Sequence, residues 1–432
     1  MKGVSVMRLS RIEDKRYRWI VVAACFLIAF TGLGFCSGTK SLYLVPITEA
    51  TGLKRSLFSL SDSCRYITTT IVNLFFGAHL ARYGAKKLLA AGYLCLIAFA
   101  LIYATASSAW VFCLGGVCLG LGLSWMGTAM IGHVISAWFQ ENRGTVMGFA
   151  LAANGVGSAL ATLIVSPIIN RPGDPFGYRK AYLLTALLLA IGGAVVLLIF
   201  REYPAGGKPV PNRSRRKRGQ TWSGLTAKQA LRTPYFYGAA ACVFVTGLCL
   251  QSTSGISAAH MRDVGLDSAF IAGVVSLHSI TLSLCKLLVG WLFDRIRLRR
   301  TITLCCVAAV ASAVLLLSIA PEARWPALIY GPLMSLTLPM ETIILPLLAA
   351  SLFGEREFEK LLGVFVSVTT AGFAVGVPLS NLCHDLLGSY RPSLIATGCA
   401  MAAVTLAYQF ILTAADRRRA SVEAEEAEGT GA

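Results

Sequence analysis

Lys286 and Glu341 are ionisable side chains set deep inside long apolar runs. A charge among hydrocarbon groups is expensive and marks a functional candidate. An ammonium group held there can anchor an anion. A carboxyl group held there is a candidate proton carrier, because burial penalises its charged form. Depth separates such groups from long side chains that reach water from a helix end. Lys286 stands eight residues before Asp294, about 12 Å in from that edge on a helix. Glu341 stands twelve residues before Phe353, about 18 Å in and near the middle of a hydrocarbon core about 30 Å thick. The bland alternative is a structural ion pair between the two. Arg65 falls in the outer third of its run, where it either lines a vestibule or is solvated. Lys40, far along the first run, is expected to reach the outer interface. Asn73, Trp125 and Tyr330 either line a cavity or pack.

These residues need elements long enough to carry them to that depth. A spanning helix requires about 20 apolar residues. Twelve such runs can be marked, at about 18–46, 56–80, 87–106, 110–138, 144–168, 179–200, 234–258, 268–292, 301–320, 326–352, 361–384 and 390–413. The segment "KPVPNRSRRKRGQ" is polar, strongly basic and breaker-containing, and reads as a loop. The expected organisation is a cytoplasmic N-terminus at 1–17 and a six-helix bundle at 18–200. A basic cytoplasmic loop at 201–233, a second six-helix bundle at 234–413 and a disordered cytoplasmic tail at 414–432 complete it. The fold class is an all-α polytopic membrane protein, two six-helix bundles related by pseudo-symmetry.

Composition agrees. The 432 residues are 56% hydrophobic and only 14% charged, against about 25% charged in soluble domains. The net charge of +18 does not imply a nucleic-acid partner. The basic residues cluster between apolar runs, and with both termini inside, most of the 39 lysines and arginines fall in inner segments. That is the positive-inside pattern, and it places both termini in the cytoplasm of a multi-pass inner-membrane protein. The thirteen cysteines lie almost entirely in apolar runs without a CxxC pair, so neither a metal nor a disulfide framework is expected. No P-loop or nucleophile–base set is legible, so no cofactor and no enzymatic activity are expected.

The chain repeats itself. Shifted by 213 positions, Gly52–Lys87 aligns without a gap on Gly265–Arg300. Gly77 meets Gly290, Arg82 meets Arg295, Asn73 meets Lys286, and Lys86-Lys87 meet Arg299-Arg300. Parallel repeats of this kind bind substrate near the bilayer midplane.

The two copies of the inner-loop pattern, Gly77-x-x-x-Ala81-Arg82-x-Gly84-x-Lys86-Lys87 and Gly290-x-x-x-Asp294-Arg295-x-Arg297-x-Arg299-Arg300, resemble the loop motif of the major facilitator superfamily. Ala81 stands where that motif carries Asp, and Arg297 where it carries Gly. The resemblance implies the major facilitator fold of twelve helices, with Gly77, Arg82, Gly84, Gly290, Asp294 and Arg295 as gating residues at the inner face. Three stretches further resemble the monocarboxylate transporters and oxalate/formate antiporters: "SAWFQENRGTVMGFALAANGVGSAL", "AAHMRDVGL" and "CHDLLGSY". In those families a basic residue four before the second motif glycine is implicated in binding the substrate carboxylate, and Lys286 occupies that place. The oxalate-type proteins also use a base in the eleventh helix. Here 363–381 offers only Thr369 and Thr370 in that role.

The expectation is therefore a secondary active transporter of a small organic anion, a monocarboxylate, across the cytoplasmic membrane by alternating access. Lys286, Arg65, Asn73, Trp125 and Tyr330 are the expected substrate residues and Glu341 the proton-coupling residue, in proton symport or anion exchange. Its partners would be the anion, a proton or counter-anion, and membrane lipid, with a monomer sufficing. The alternative is a drug/proton antiporter exporting a cationic or neutral compound.

Overall fold

The computed structural model describes residues 17–139, 143–202, 226–353 and 358–429. It is helical, and no strand occurs among the described residues. Among the described residues, ten helical stretches are long and apolar enough to cross a membrane, or eleven if a bent pair in the tenth run counts as one span; Ser268–Lys286 and Leu298–Leu317 count separately though one helix contains both. The expected second span is not among them. Its helix, Arg55–Leu74, is rich in Ser and Thr and carries Asp62 and Arg65, which lowers its hydropathy. Large apolar side chains point outward as well as inward, among them Leu94, Leu198, Leu406 and Phe410. That surface suits lipid rather than water.

The chain divides into two compact units, Met1–Arg213 with Leu266–Leu284, and Ser214–Gly265 with Cys285–Ala432. In the first unit, α1 (Tyr17–Thr51) contains a π-helical stretch at Ala29–Phe35. Then come α2 (Arg55–Leu74), α3 (Phe76–Tyr83), α4 (Ala85–Thr105), α5 (Ala109–Met126) and α6 (Thr128–Trp138). They are followed by α7 (Arg143–Ile169) and α8 (Gly177–Ile199). The π-helical stretch of α1 packs on α7, α2 on α5, and α4 on both α5 and α8. In the second unit, α9 (Pro234–Asp263) packs on α13 (Phe358–Leu387) and α14 (Arg391–Gly429). Between these in the chain run α10 (Ser268–Leu317), which belongs to this unit from Cys285 on and to the first unit before it, α11 (Trp325–Thr337) and α12 (Leu345–Phe353). The α1–α7 and α9–α13 pairings are counterparts under the 213-residue shift, so the repeat seen in the sequence recurs in the packing.

Two expectations are corrected. A loop was expected between the eighth and ninth runs, but α10 is helical without interruption from Ser268 to Leu317. The first repeat breaks at Gly84, whose φ of 76° is left-handed. The equivalent position is Arg297, for which that conformation is disfavoured. The acidic tail was expected to be disordered, yet α14 continues to Gly429. Its Ala- and Glu-rich sequence has high helix propensity, and extending an existing helix needs no new nucleus.

Candidate functional site

In the second unit, Lys286 sits on α10 and Glu341 in a five-residue π-helical turn, Met340–Ile344, between α11 and α12. The sequence explains the turn. Pro339 and Pro346 bracket Glu341 and neither offers an amide hydrogen. The two halves of the tenth run, Trp325–Thr342 and Leu347–Phe353, are bent by 52°. Single π-turns of this kind recur at functional positions.

The Glu341 carboxylate accepts a hydrogen bond from Gln251 Nε2 of α9 at 3.3 Å on Oε2. Its Oε1 is buried with no partner among the described residues. Lys286 and Glu341 act on each other electrostatically. They form no ion pair within 4.0 Å, and no described carboxylate lies that close to Lys286. Tyr330 is 3% exposed and its hydroxyl donates to the Thr253 carbonyl at 3.4 Å.

The first unit holds a second charged centre, which sequence reasoning missed in part. Lys40 does not reach the outer interface. Its Nζ pairs with Asp62 Oδ1 on α2, and its side chain is only 11% exposed. The reason is chain geometry: α1 packs on α2, so the shortest route for the ammonium is inward to the carboxylate rather than outward along the helix. Arg65, one turn from Asp62, places its Nε 3.9 Å from the same oxygen. Its guanidinium lies 4.1 Å from the centre of the Tyr66 ring, a cation–π arrangement. Two buried cations thus share one carboxylate. The hydroxyls of Ser61 and Tyr103 are buried as neighbours of each other, without a hydrogen bond of good geometry among the described residues.

Glycines make this centre possible. A Cβ at Gly120 of α5 would lie 2.6 Å from the Arg65 carbonyl oxygen, and one at Gly116 would collide with that of Ser61. The absent side chains let α2 approach α5 backbone to backbone, as in small-residue membrane contacts.

The other expected substrate residues of this unit fall elsewhere. Asn73 is exposed near the end of α2. Trp125 packs edge-on against His79 at 6.3 Å, and its Nε1–H is buried without an acceptor among the described residues.

At the inner-loop motif, Gly77 faces open space and the Arg82 guanidinium lies 5.3 Å from the Tyr83 ring centre. The side chains at Gly290 and Asp294 lie outside the described residues, and Arg295 lies 5.6 Å over Trp291. A carboxylate does reach the first motif, from a residue the motif search passed over. Glu202 Oε2 accepts the Ala85 amide at 2.9 Å, just past Gly84. Its Oε1 lies 3.5 Å from His133 Nε2, and its carbonyl accepts from Trp138 Nε1 at 3.1 Å. A negative charge at the N-terminus of α4 is favourable. Glu202 therefore supplies to the turn a charge that Ala81 cannot, and only its place after α8, far along the chain, hid it.

The comparisons decide the family. The model of the Major Facilitator Superfamily matches residues 22–336 and 239–431. The chain belongs to this superfamily. Its long apolar helices are those of a multi-pass membrane protein. It is 26% identical over 285 residues to an uncharacterised MFS-type transporter, YcxA, of Bacillus subtilis, covering 65% of this chain and 66% of that one. It is 26% identical over 297 residues to monocarboxylate transporter 13 of Bos taurus, covering 65% and 64%. These alignments span just under two thirds of either relative. Against monocarboxylate transporter 11 of Homo sapiens the identity is 25% over 407 residues, covering 89% and 81%.

Among solved structures, the nucleoside transporter NupG matches with a TM-score of 0.70 at 13% identity, over 90% of this chain and 98% of that one. A bacterial homologue of the human lysosomal transporter Spinster, inward-facing and unoccupied, matches with a TM-score of 0.74 at 13% identity, over 92% and 97%. Both give the superfamily fold.

Proposed function

We propose that this transporter moves a small organic anion bearing one carboxylate, a monocarboxylate, across the cytoplasmic membrane by proton symport or anion exchange. The observation that carries the reading is incompletely paired buried positive charge in each unit. Lys286 has no described carboxylate within 4.0 Å, and among the described residues Lys40 and Arg65 share the one carboxylate of Asp62. An unpaired buried charge is costly, and a carboxylate ligand offsets that cost. Relatives named monocarboxylate transporters support the substrate class.

In this reading Lys286 anchors the carboxylate as a point charge, and Arg65 supplies a second positive centre. Trp125 offers an unspent indole N–H, Asn73 a polar side chain, and Tyr330 fixes the wall between α9 and α11. Glu341 is the proton-coupling group: Gln251 holds one of its oxygens, and the other has no partner among the described residues and can take a proton. Gly77, Arg82, Gly84, Gly290, Asp294 and Arg295 act in gating. The protein works as a monomer in the inner membrane, with both termini cytoplasmic and lipid around its apolar faces.

A thermal-shift screen of the purified protein against short-chain carboxylates tests the site. Stabilisation by a carboxylate is expected, and Lys286→Ala should abolish it. Stabilisation that persists unaltered in that variant removes Lys286 from the site.

A further inference from the structure

Glu341 and Thr246 share a small pocket in the second unit, walled by α9, α10, the π-turn, α12, α13 and α14. Val243, Ile302, Met340 and Leu348 supply its apolar lining, and Tyr408 adds a phenol. It offers about 10 Å³ to the centre of a water molecule, which is the room one water requires. Two polar atoms of the lining residues are unsatisfied. Glu341 Oε1 and Thr246 Oγ1 are each buried without a hydrogen bond of good geometry among the described residues, and the Tyr408 phenol is a polar neighbour of the Thr246 hydroxyl. Thr246 is 5% exposed. Buried polar atoms left unpaired are rare, and an ordered water is the usual remedy.

We propose that this pocket is a single-water site, and that Thr246 is a positioning residue for the Glu341 carboxyl group acting through that water. The water donates one hydrogen to Glu341 Oε1 and accepts one from the Thr246 hydroxyl. With Gln251 on Oε2, both oxygens of the carboxylate are then held, from one helix by a side-chain amide and from the same helix, α9, through the water. Gln251 and Thr246 are five residues apart on α9, so that single helix sets the carboxyl's orientation. The role of Thr246 in coupling rests on Glu341 being the proton carrier; the water site does not.

The test is infrared difference spectroscopy on pH jumps. It uses the full-length protein in liposomes, in ordinary water and in water carrying the heavy oxygen isotope. A water O–H band that shifts with the isotope is expected in the wild type and in Thr246→Ser, and should be lost in Thr246→Val. In Thr246→Val the C=O stretch of protonated Glu341, assigned by its absence in Glu341→Gln, should move to higher frequency as a hydrogen bond is lost, and Thr246→Ser should restore it. An isotope-sensitive band and a C=O stretch that are both unchanged in Thr246→Val overturn the site. So does a band that disappears when sodium replaces potassium, which makes the occupant a cation. A wild type that shows the water band but no Glu341 C=O stretch at any pH leaves the water site standing and overturns instead the reading of Glu341 as proton carrier.

Discussion

Gln251 and Glu341, on separate helices, share a 3.3 Å hydrogen bond that occupies one carboxylate oxygen and leaves the other without a described partner. In the proposed function this half-satisfied carboxyl carries the proton, and its hydrogen bond also bears on stability. Replacing Gln251 by Leu removes a hydrogen bond to an ionisable group, worth about 2 kcal/mol. The melting temperature in detergent should fall for Gln251→Leu. It should recover largely in Gln251→Leu combined with Glu341→Leu, because the buried acceptor is then gone as well. Equal losses in the single and double variants would show that the bond contributes nothing.

The Lys40–Asp62–Arg65 centre makes a second prediction. Asp62→Asn leaves two buried cations without their shared carboxylate, and breaking a buried pair in this way costs about 3–5 kcal/mol. A marked fall in melting temperature is expected. Added carboxylate should restore part of it if the centre binds anions. A variant as stable as the wild type would mean that both cations reach water.

Glycine 120 marks the contact that holds Arg65 in place. Gly120→Leu puts a side chain where a Cβ alone meets the Arg65 carbonyl oxygen at 2.6 Å. Overpacking of this kind costs about 1–3 kcal/mol or more. Size-exclusion chromatography should show a smaller monodisperse fraction for Gly120→Leu, whereas Gly77→Leu, in open space, should leave the profile unchanged.

One acid-sensitive pair lies in a connection between spans. Lys180 donates to Asp174 at 2.6 Å, and this hydrogen bond holds the Asp174 carboxyl below its usual value of 3.8. A folded-state value lower than the unfolded one stabilises the fold above the unfolded value. That contribution is lost as pH falls through the folded value, so the sensitive window lies in acid, below about pH 4. Carbon NMR titration of Asp174 should show its midpoint rising in Lys180→Ala.

Much of this was legible in the chain. The 213-residue shift fixed which helices are counterparts, and the α1–α7 and α9–α13 packing repeats it. Depth counting drew attention to Lys286 and Glu341 because a straight apolar run converts residue number to distance. The same counting misplaced Lys40, since it measures position along one helix and cannot see Asp62 on another. Glu202 was missed for a related reason: its partners Ala85, His133 and Trp138 are close only once α4, α6 and α8 have been brought together. The uninterrupted α10 was foreshadowed by Arg297 in place of a glycine, but whether a chain breaks there depends on packing as well as on that residue. The tail of α14 followed helix propensity where its acidic composition had suggested disorder.

The central claim is that Lys286 anchors a monocarboxylate during transport. Uptake of a radiolabelled short-chain monocarboxylate by purified protein in liposomes, with an inward proton gradient, tests it most directly. Saturable uptake by the wild type that is lost in Lys286→Ala, with the variant folded by melting temperature, is the predicted result. Undiminished uptake in Lys286→Ala, or export of a lipophilic cation with no carboxylate movement by the wild type, would contradict it.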